Sequence, residues 1–124
     1  LRHAASTLEP VSLLHADFER TITPAKSGDF VYLDPPYPPL NETAFFTHYT
    51  KERFGIDGQQ RVAVAFKKLS EAGALVMMTN AGTPEIRKLY PDYYYRDLET
   101  SRYVAANGIR YRVSDVVISN FPLR

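Results

Sequence analysis

Apolar residues fall into short runs separated by polar and turn-forming stretches, and the spacing within each run predicts an element. Val11 to His15 (VSLLH) and Phe30 to Leu33 (FVYL) have no helical period and read as strands. FVYL lacks polar alternation, as expected for a strand covered on both faces. Between them Asp17-Phe18-Glu19-Arg20 begins a short helical segment ending before Pro24, and Ser27-Gly28-Asp29 is a turn. From Asp34 to about Ile56 the chain has four prolines and no helical period, a long loop of the kind usually reserved for lids and binding surfaces. Asp57 is placed to cap a helix from about Gly58 to Ala72, with Gln60 at the capping-box position. Val62, Ala65, Phe66 and Leu69 form its buried face, and Arg61, Lys67, Lys68 and Glu71 its solvent face. Gly73 ends it, and Ala74 to Met78 is a third buried strand. Thr79-Asn80-Ala81-Gly82 reads as the following turn. Thr83 then caps a short helix with Pro84 at its first position, stopped by Tyr90-Pro91-Asp92. Tyr93 to Glu99 and Arg112 to Ser119 are two late strands joined through Asn107-Gly108.

This order predicts an α/β fold: a mostly parallel sheet with helices on both faces and an antiparallel pair at one edge. Ligands of such sheets bind beyond the carboxyl ends of the strands. Asp34 and Asn80, each directly after a buried strand, share that rim. The 124 residues suit one modest domain. No run approaches the roughly 18 apolar residues of a membrane span, and the absence of cysteine excludes disulfides and thiolate metal sites. With 15 basic and 14 acidic side chains, overall charge makes no case for nucleic acid. From Arg102 to Arg124, however, four arginines stand against one acid, Asp115, allowing a local positive face. Leu1-Arg2-His3-Ala4-Ala5, with no initiating methionine, reads as the end of a helix already under way, so the chain is expected to be a fragment or part of a longer one.

The chemistry concentrates in Asp34-Pro35-Pro36-Tyr37 (DPPY). Pro36 keeps Pro35 extended, so the segment is stiff before a ligand arrives. The Asp34 carboxylate and nearby carbonyls accept hydrogen bonds, and Tyr37 offers a flat face, together a pocket for a planar group bearing NH₂. An exocyclic nucleobase amine is a poor nucleophile because its lone pair is delocalised into the ring. Two acceptors drawing its hydrogens out of the ring plane would localise that pair for attack on an electrophilic methyl group. Asp34 would also stabilise the positive charge growing on nitrogen. The base must leave its stack, at a cost of a few kcal/mol, which stacking on Tyr37 offsets by roughly 1–3 kcal/mol. Taken alone, four residues also fit a plain rigid turn.

The sequence resembles Dam-type, D12-class DNA adenine-N6 methyltransferases. The resemblance rests on His15-Ala16-Asp17-Phe18, on Val31 to Leu40 (VYLDPPYPPL), on Ala44-Phe45-Phe46-Thr47 with Tyr49 and Phe54, and on Gln59-Gln60. It continues through Thr79-Asn80, where the family commonly has Ser-Asn, and Arg102…Asn107-Gly108…Arg110 leading to Asn120. It implies a Rossmann-like methyltransferase fold using S-adenosylmethionine, double-stranded DNA as substrate, and a cytoplasmic, bacterial or phage-like, DNA-associated setting without membrane or metal. Asp34 and Pro35 would hold the amine hydrogens of a flipped adenine, with Pro36 and Tyr37 completing the pocket. Asp17 and Phe18, with Asp34, would meet the cofactor. Phe46, Thr47 and Tyr49 would wall the pocket, and Asn80, Arg102, Asn107 and Arg110 would lie near DNA or the rim. The family's F-x-G-x-G cofactor motif and target-recognition region match nothing in this chain. The resemblance therefore implies a catalytic domain incomplete at its N-terminus, inactive alone and dependent on the rest of a parent chain or a complementary subunit.

Plainer readings remain open beside these. Asp17-Phe18 also fits a helix cap and a core aromatic, Phe45-Phe46 fits core packing, and Asn80 fits a residue satisfying turn backbone. The tyrosines from Tyr90 to Tyr103 suit an edge strand better than a stacking surface. Arg102, Arg110 and Arg112 could position phosphates or form a solvated face. His3, His15 and His48 have no metal-ligand spacing. Two other functions compete: RNA guanine-N2 methylation, which uses the same DPPY chemistry, and a non-catalytic DNA-contact or assembly module.

Overall fold

Two short strands running the same way set the frame. The computed structural model describes residues 7, 9–38, 54–106 and 109–123, with side chains for all of these except 99–106 and 109–113. In chain order the elements are α1 (Phe18–Ile22), β1 (Phe30–Leu33), α2 (Ile56–Glu71), β2 (Leu75–Ala81), α3 (Pro84–Lys88), β3 (Tyr94–Ala106) and β4 (Ile109–Ser119). The sheet order is β1-β2-β4-β3. β1 and β2 are parallel, from Phe30 opposite Leu75 to Leu33 opposite Met78, whereas β4 runs antiparallel to both β2 and β3.

The expected mostly parallel sheet is therefore corrected to a mixed, mostly antiparallel one. The short connection from Ala106 to Ile109 permits only an antiparallel return, and the hairpin so formed docks on β2 through β4. Helices are expected on both faces; among the described residues they pack on one. Val76 and Met78 of β2 and Val116 and Ile118 of β4 share one face by strand alternation. Val62, Phe66 and Leu69 of α2, Ile86 of α3 and Tyr90 bury themselves against that face, with Phe18 and Ile22 of α1 packed at its margin. On the opposite face Phe30, Tyr32 and Leu75 are 58%, 52% and 47% exposed. FVYL alternates exposed and half-buried positions rather than being covered on both sides, because β1 has one strand neighbour among the described residues. Residues 11–15 form no strand and are exposed, since no described strand lies beside them to complete their hydrogen bonds.

Local chemistry explains most boundaries. Asp17 caps α1 by accepting from the Glu19 N–H, and Thr83 caps α3 by accepting from the Ile86 N–H. α2 starts earlier than expected, with Gly55 at its N-cap, so Asp57 lies inside the first turn, where its charge suits the helix dipole. At its other end the Ala74 N–H donates to Leu69 and the Gly73 N–H to Ser70, a closure requiring the left-handed φ of 83° at Gly73. Thr79-Asn80-Ala81, expected as a turn, continues β2 because Val117, Val116 and Asp115 of β4 pair with it. β3 and β4 are longer than expected, with a register irregularity between Leu98 and Arg102. Of the expected long loop, residues 34–38 and 54–55 have no helix or strand, and 39–53 lie outside the described residues.

The core is fastened by aromatics. Phe66 meets Tyr93 and Tyr90 edge to face, with ring centres 4.7 and 5.4 Å apart, each contact worth about 0.5–1.5 kcal/mol beyond area burial. Tyr94 and Tyr95 lie on β3, an edge strand, as expected for these tyrosines. Gly73→Ala is expected to cost about 1–2 kcal/mol of stability in urea unfolding, because a side chain there is forced into a left-handed backbone and its Cβ would lie 2.8 Å from Ser27 Oγ. An unchanged midpoint would contradict this assignment of the helix end.

Candidate functional site

The pairing of Leu33 with Met78 ends β1 beside the middle of β2, so the DPPY segment leaves the sheet next to Thr79-Asn80. On a strand these two side chains point to opposite faces, and each grips the segment from its own side. Thr79 Oγ1 donates to Asp34 Oδ1 at 2.9 Å, and the Tyr32 hydroxyl lies 2.9 Å from the same Thr79 oxygen. On the buried face Gln59 Nε2 donates to the Pro36 carbonyl at 2.8 Å. Asn80 Nδ2 donates to Gln59 Oε1, and Asn80 Oδ1 accepts from the Ala81 N–H, both at 2.8 Å. Gln59 and Asn80 are fully buried, so this chain of amides satisfies groups that would otherwise be costly.

A cavity of about 330 Å³ opens beside the segment, lined by Asp34, Pro35 and Pro36 together with Phe18, Phe54 and Val62. Phe18 and Phe54 meet edge to face with ring centres 6.3 Å apart. Asp34 is exposed at this cleft and Tyr37, next along, is half-buried. Arg61 of α2 reaches across to the start of α1. Its guanidinium donates to both oxygens of Asp17 at 3.0 and 2.9 Å and to Glu19 at 2.9 Å, and it lies 4.9 Å from the centre of the Phe18 ring. The hydrogen bonds from Arg61, and then that from the Glu19 N–H, hold the Asp17 carboxyl below the usual carboxylate range. All three charged groups are about half exposed, so the clamp orients more than it stabilises.

Of the residues singled out from sequence, Phe18, Asp34, Pro35 and Pro36 share the cavity and Tyr37 adjoins it. Asp17 turns its carboxylate to Arg61, beside the cavity wall formed by Phe18. Asn80 lies inside the protein and reaches DPPY only through Gln59. Arg102 and Arg110 belong to the hairpin, Arg102 on the strand farthest from β1, and their side chains lie outside the described set, as do Phe46, Thr47, Tyr49 and Asn107. In the sequence Tyr32, Gln59 and Thr79 stood out only as part of the resemblance and Arg61 only as a solvent-face residue of the helix, none with a task at the site. Gln59 had a signal: it is a polar residue in line with the apolar face of α2, three positions before Val62. Arg61 had none, since a basic residue on an outer helix face ordinarily meets solvent.

Among the described residues no cluster of three or more His, Cys, Asp or Glu could hold a metal ion, and no helix is long and apolar enough to cross a membrane. A family model described as D12 class N6 adenine-specific DNA methyltransferase matches residues 1–104. Type II methyltransferase M1.LlaDCHI of Lactococcus lactis subsp. cremoris is 37% identical over 112 residues, covering 90% of this chain and 39% of that protein. The DNA adenine methylase of Vibrio cholerae serotype O1 is 30% identical over 122 residues, covering 98% of this chain and 44% of that protein. The DNA N-6-adenine-methyltransferase of Escherichia phage P1 is 40% identical over 80 residues, covering 64% of this chain and 11% of that protein. The chain thus spans less than half of the length of each of these relatives.

Gln59→Leu is expected to cost about 1–3 kcal/mol in denaturant unfolding, because it strands the Asn80 amide and the Pro36 carbonyl. Adding Asn80→Leu should then cost less than it does alone, by about 0.5 kcal/mol or more; strict additivity would mean that the two amides are not coupled. The Arg61–Asp17 contact is present above pH 3.8, the ordinary Asp value, and is lost as pH falls through the lowered one. Arg61→Gln should therefore raise the Asp17 titration toward 3.8 in carbon-detected NMR, and an unmoved titration would contradict the clamp.

Proposed function

The chain belongs to the D12 class N6 adenine-specific DNA methyltransferase family, and from that premise we propose that it forms the catalytic side of an enzyme methylating the N6 amine of a flipped adenine in double-stranded DNA. The observation carrying this reading is that DPPY is held from both faces of the sheet, while Asp34, an exposed residue, lines a cavity together with Phe18 and Phe54. A rigid turn with no chemical task would need neither the fixed carboxylate nor the adjoining space.

In the proposed mechanism Asp34 and the Pro35 carbonyl accept the two amine hydrogens and draw them out of the ring plane, concentrating the lone pair on nitrogen. As the new N–C bond forms, nitrogen becomes positive, and Asp34 stabilises that charge more in the transition state than before it. Tyr37 stacks on the base. The amide chain through Gln59 and Asn80 keeps the segment in shape, so little reorganisation accompanies the reaction.

The cavity suits S-adenosylmethionine in chemical character: aromatic rings for an adenine, and carboxylates nearby for a sulfonium and for ribose hydroxyls. When bound, that cofactor would supply an electrophilic methyl group, its S–CH₃ bond breaking to leave a neutral thioether as the N–C bond forms. The alkylated nitrogen would then release one of its hydrogens as a proton to water. Phe18 would pack against its adenine, and Asp17, oriented by Arg61, would help fix the adenosine part. The glycine-containing cofactor motif and the target-recognition surface would come from the rest of the parent chain or from a complementary subunit, so this chain alone would be inactive. The exposed apolar side chains of Phe30, Tyr32 and Leu75 support further protein packing on that face. The arginines at 102 and 110, with Asn107, would lie near DNA, and Phe46, Thr47 and Tyr49 near the pocket. A cytoplasmic, DNA-associated enzyme of bacterial or phage type fits this reading.

The test is transfer of tritiated methyl groups to DNA by the full-length protein, wild type against Asp34→Ala. We expect label in N6-methyladenine and a loss of about 100-fold or more in kcat for the variant. An undiminished rate, or label in N2-methylguanine of ribosomal RNA and none in DNA, would overturn the proposal.

A further inference from the structure

We infer that Thr79 and Tyr32 are positioning residues for the transfer, their hydroxyls forming a directed chain that selects which oxygen of Asp34 meets the substrate amine. This rests on the reading of Asp34 as the acceptor of that amine. The direction of the chain follows from proton counting. A hydroxyl has one hydrogen and two lone pairs. Asp34 accepts from Thr79, so the Thr79 hydrogen is committed, and the Tyr32 hydroxyl 2.9 Å away must be the donor to Thr79. Tyr32 therefore fixes the rotation of the Thr79 hydroxyl, and Thr79 fixes Asp34 Oδ1. Oδ2, the oxygen that Thr79 does not hold, is left to face the amine.

The placement argues against a chance surface contact. Tyr32 and Asp34 are two residues apart along the chain and so point to the same side of it, and the parallel register puts Thr79 of β2 beside them. A hydroxyl near a strand end commonly bonds its own neighbouring backbone; Thr79 reaches instead to a residue 45 positions away. Asp34 is exposed, and an exposed carboxylate without this contact would sample several rotamers, few of which aim an oxygen at the amine. The backbone does not depend on Thr79, because the Pro36 carbonyl is held from the other face by Gln59. Removing the hydroxyl should thus leave the pocket standing and disorder only the carboxylate.

This separates a positioning role from a structural one. Any residue with a small hydroxyl can accept from Tyr32 and donate to Asp34, so serine should serve at 79, whereas valine, of nearly the same shape, cannot. The full-length protein is assayed as wild type, Thr79→Val, Thr79→Ser, Tyr32→Phe and Asp34→Asn, with kcat and the KM for DNA measured for each. Thr79→Val is expected to lower kcat about 10-fold or more with KM within about twofold, since misaimed reacting groups lose rate rather than binding. Thr79→Ser should stay within about threefold of wild type, and Tyr32→Phe should lower kcat by about two- to fivefold. The inference is overturned if Thr79→Val keeps the wild-type kcat while Asp34→Asn loses it, if serine fails as badly as valine, or if the loss lies in KM. Should Thr79→Val not fold, Tyr32→Phe decides, and a wild-type kcat there overturns the chain. An Asp34→Asn variant at full rate marks the different failure, that of the reading of Asp34 itself.

Discussion

The parallel pairing of β1 with β2 is the constraint on which the site depends. Four residues of β1 are enough to fix where the chain goes next, because Leu33 is held opposite Met78 and the following carboxylate must emerge beside Thr79. Strand geometry then divides the work. Side chains at successive positions face opposite ways, so Thr79 and Asn80 are the two hands of one strand, one on the Asp34 side chain and the other, through Gln59, on the Pro36 carbonyl. A shift of one residue in this register would exchange the two faces. The hydroxyl would be buried without its partners, and the amide would be left at the surface.

The two sets of contacts differ in what they contribute. Gln59 and Asn80 are sealed from water, and buried amides left unsatisfied cost far more than paired ones yield, so this pair enforces one conformation of the loop. The Arg61 clamp on Asp17 and Glu19 is open to solvent and screened by salt, and its value lies in holding α1 and the Phe18 ring against α2. Beneath both sits the cluster of Phe66, Tyr90 and their neighbours, which binds α2 to the sheet and so carries Gln59 and Arg61 to their partners. Burial there raises the Tyr90 hydroxyl well above its ordinary pKa, keeping it neutral inside the core.

Much of this was legible in the sequence, for local reasons. The caps at Asp17 and Thr83, the stop at Gly73 and the apolar stripe of α2 depend on residues within one or two turns of each other, and the structure has them as read. Strand pairing was not legible in the same way. VSLLH has the composition of a strand but no described neighbour, FVYL has the composition of a central strand but pairs on one side only among the described residues, and the hairpin joins β2 through its second strand rather than its first. Each of these is decided by partners distant in the chain. The candidate site shows the same divide: DPPY announces itself through stiffness and chemistry, but Thr79, Tyr32 and Gln59 acquire meaning only when β1 and β2 lie side by side.

The most direct test of the proposed account is a crystal structure of the full-length protein with a DNA duplex and an unreactive sulfonium-cofactor analogue. An extrahelical adenine stacked on Tyr37 is expected. Its N6 should lie about 3 Å from both an Asp34 oxygen and the Pro35 carbonyl, with the Thr79–Asp34 bond intact. An adenine bound with its N6 facing other groups, and Asp34 turned away from it, would contradict the account at its centre.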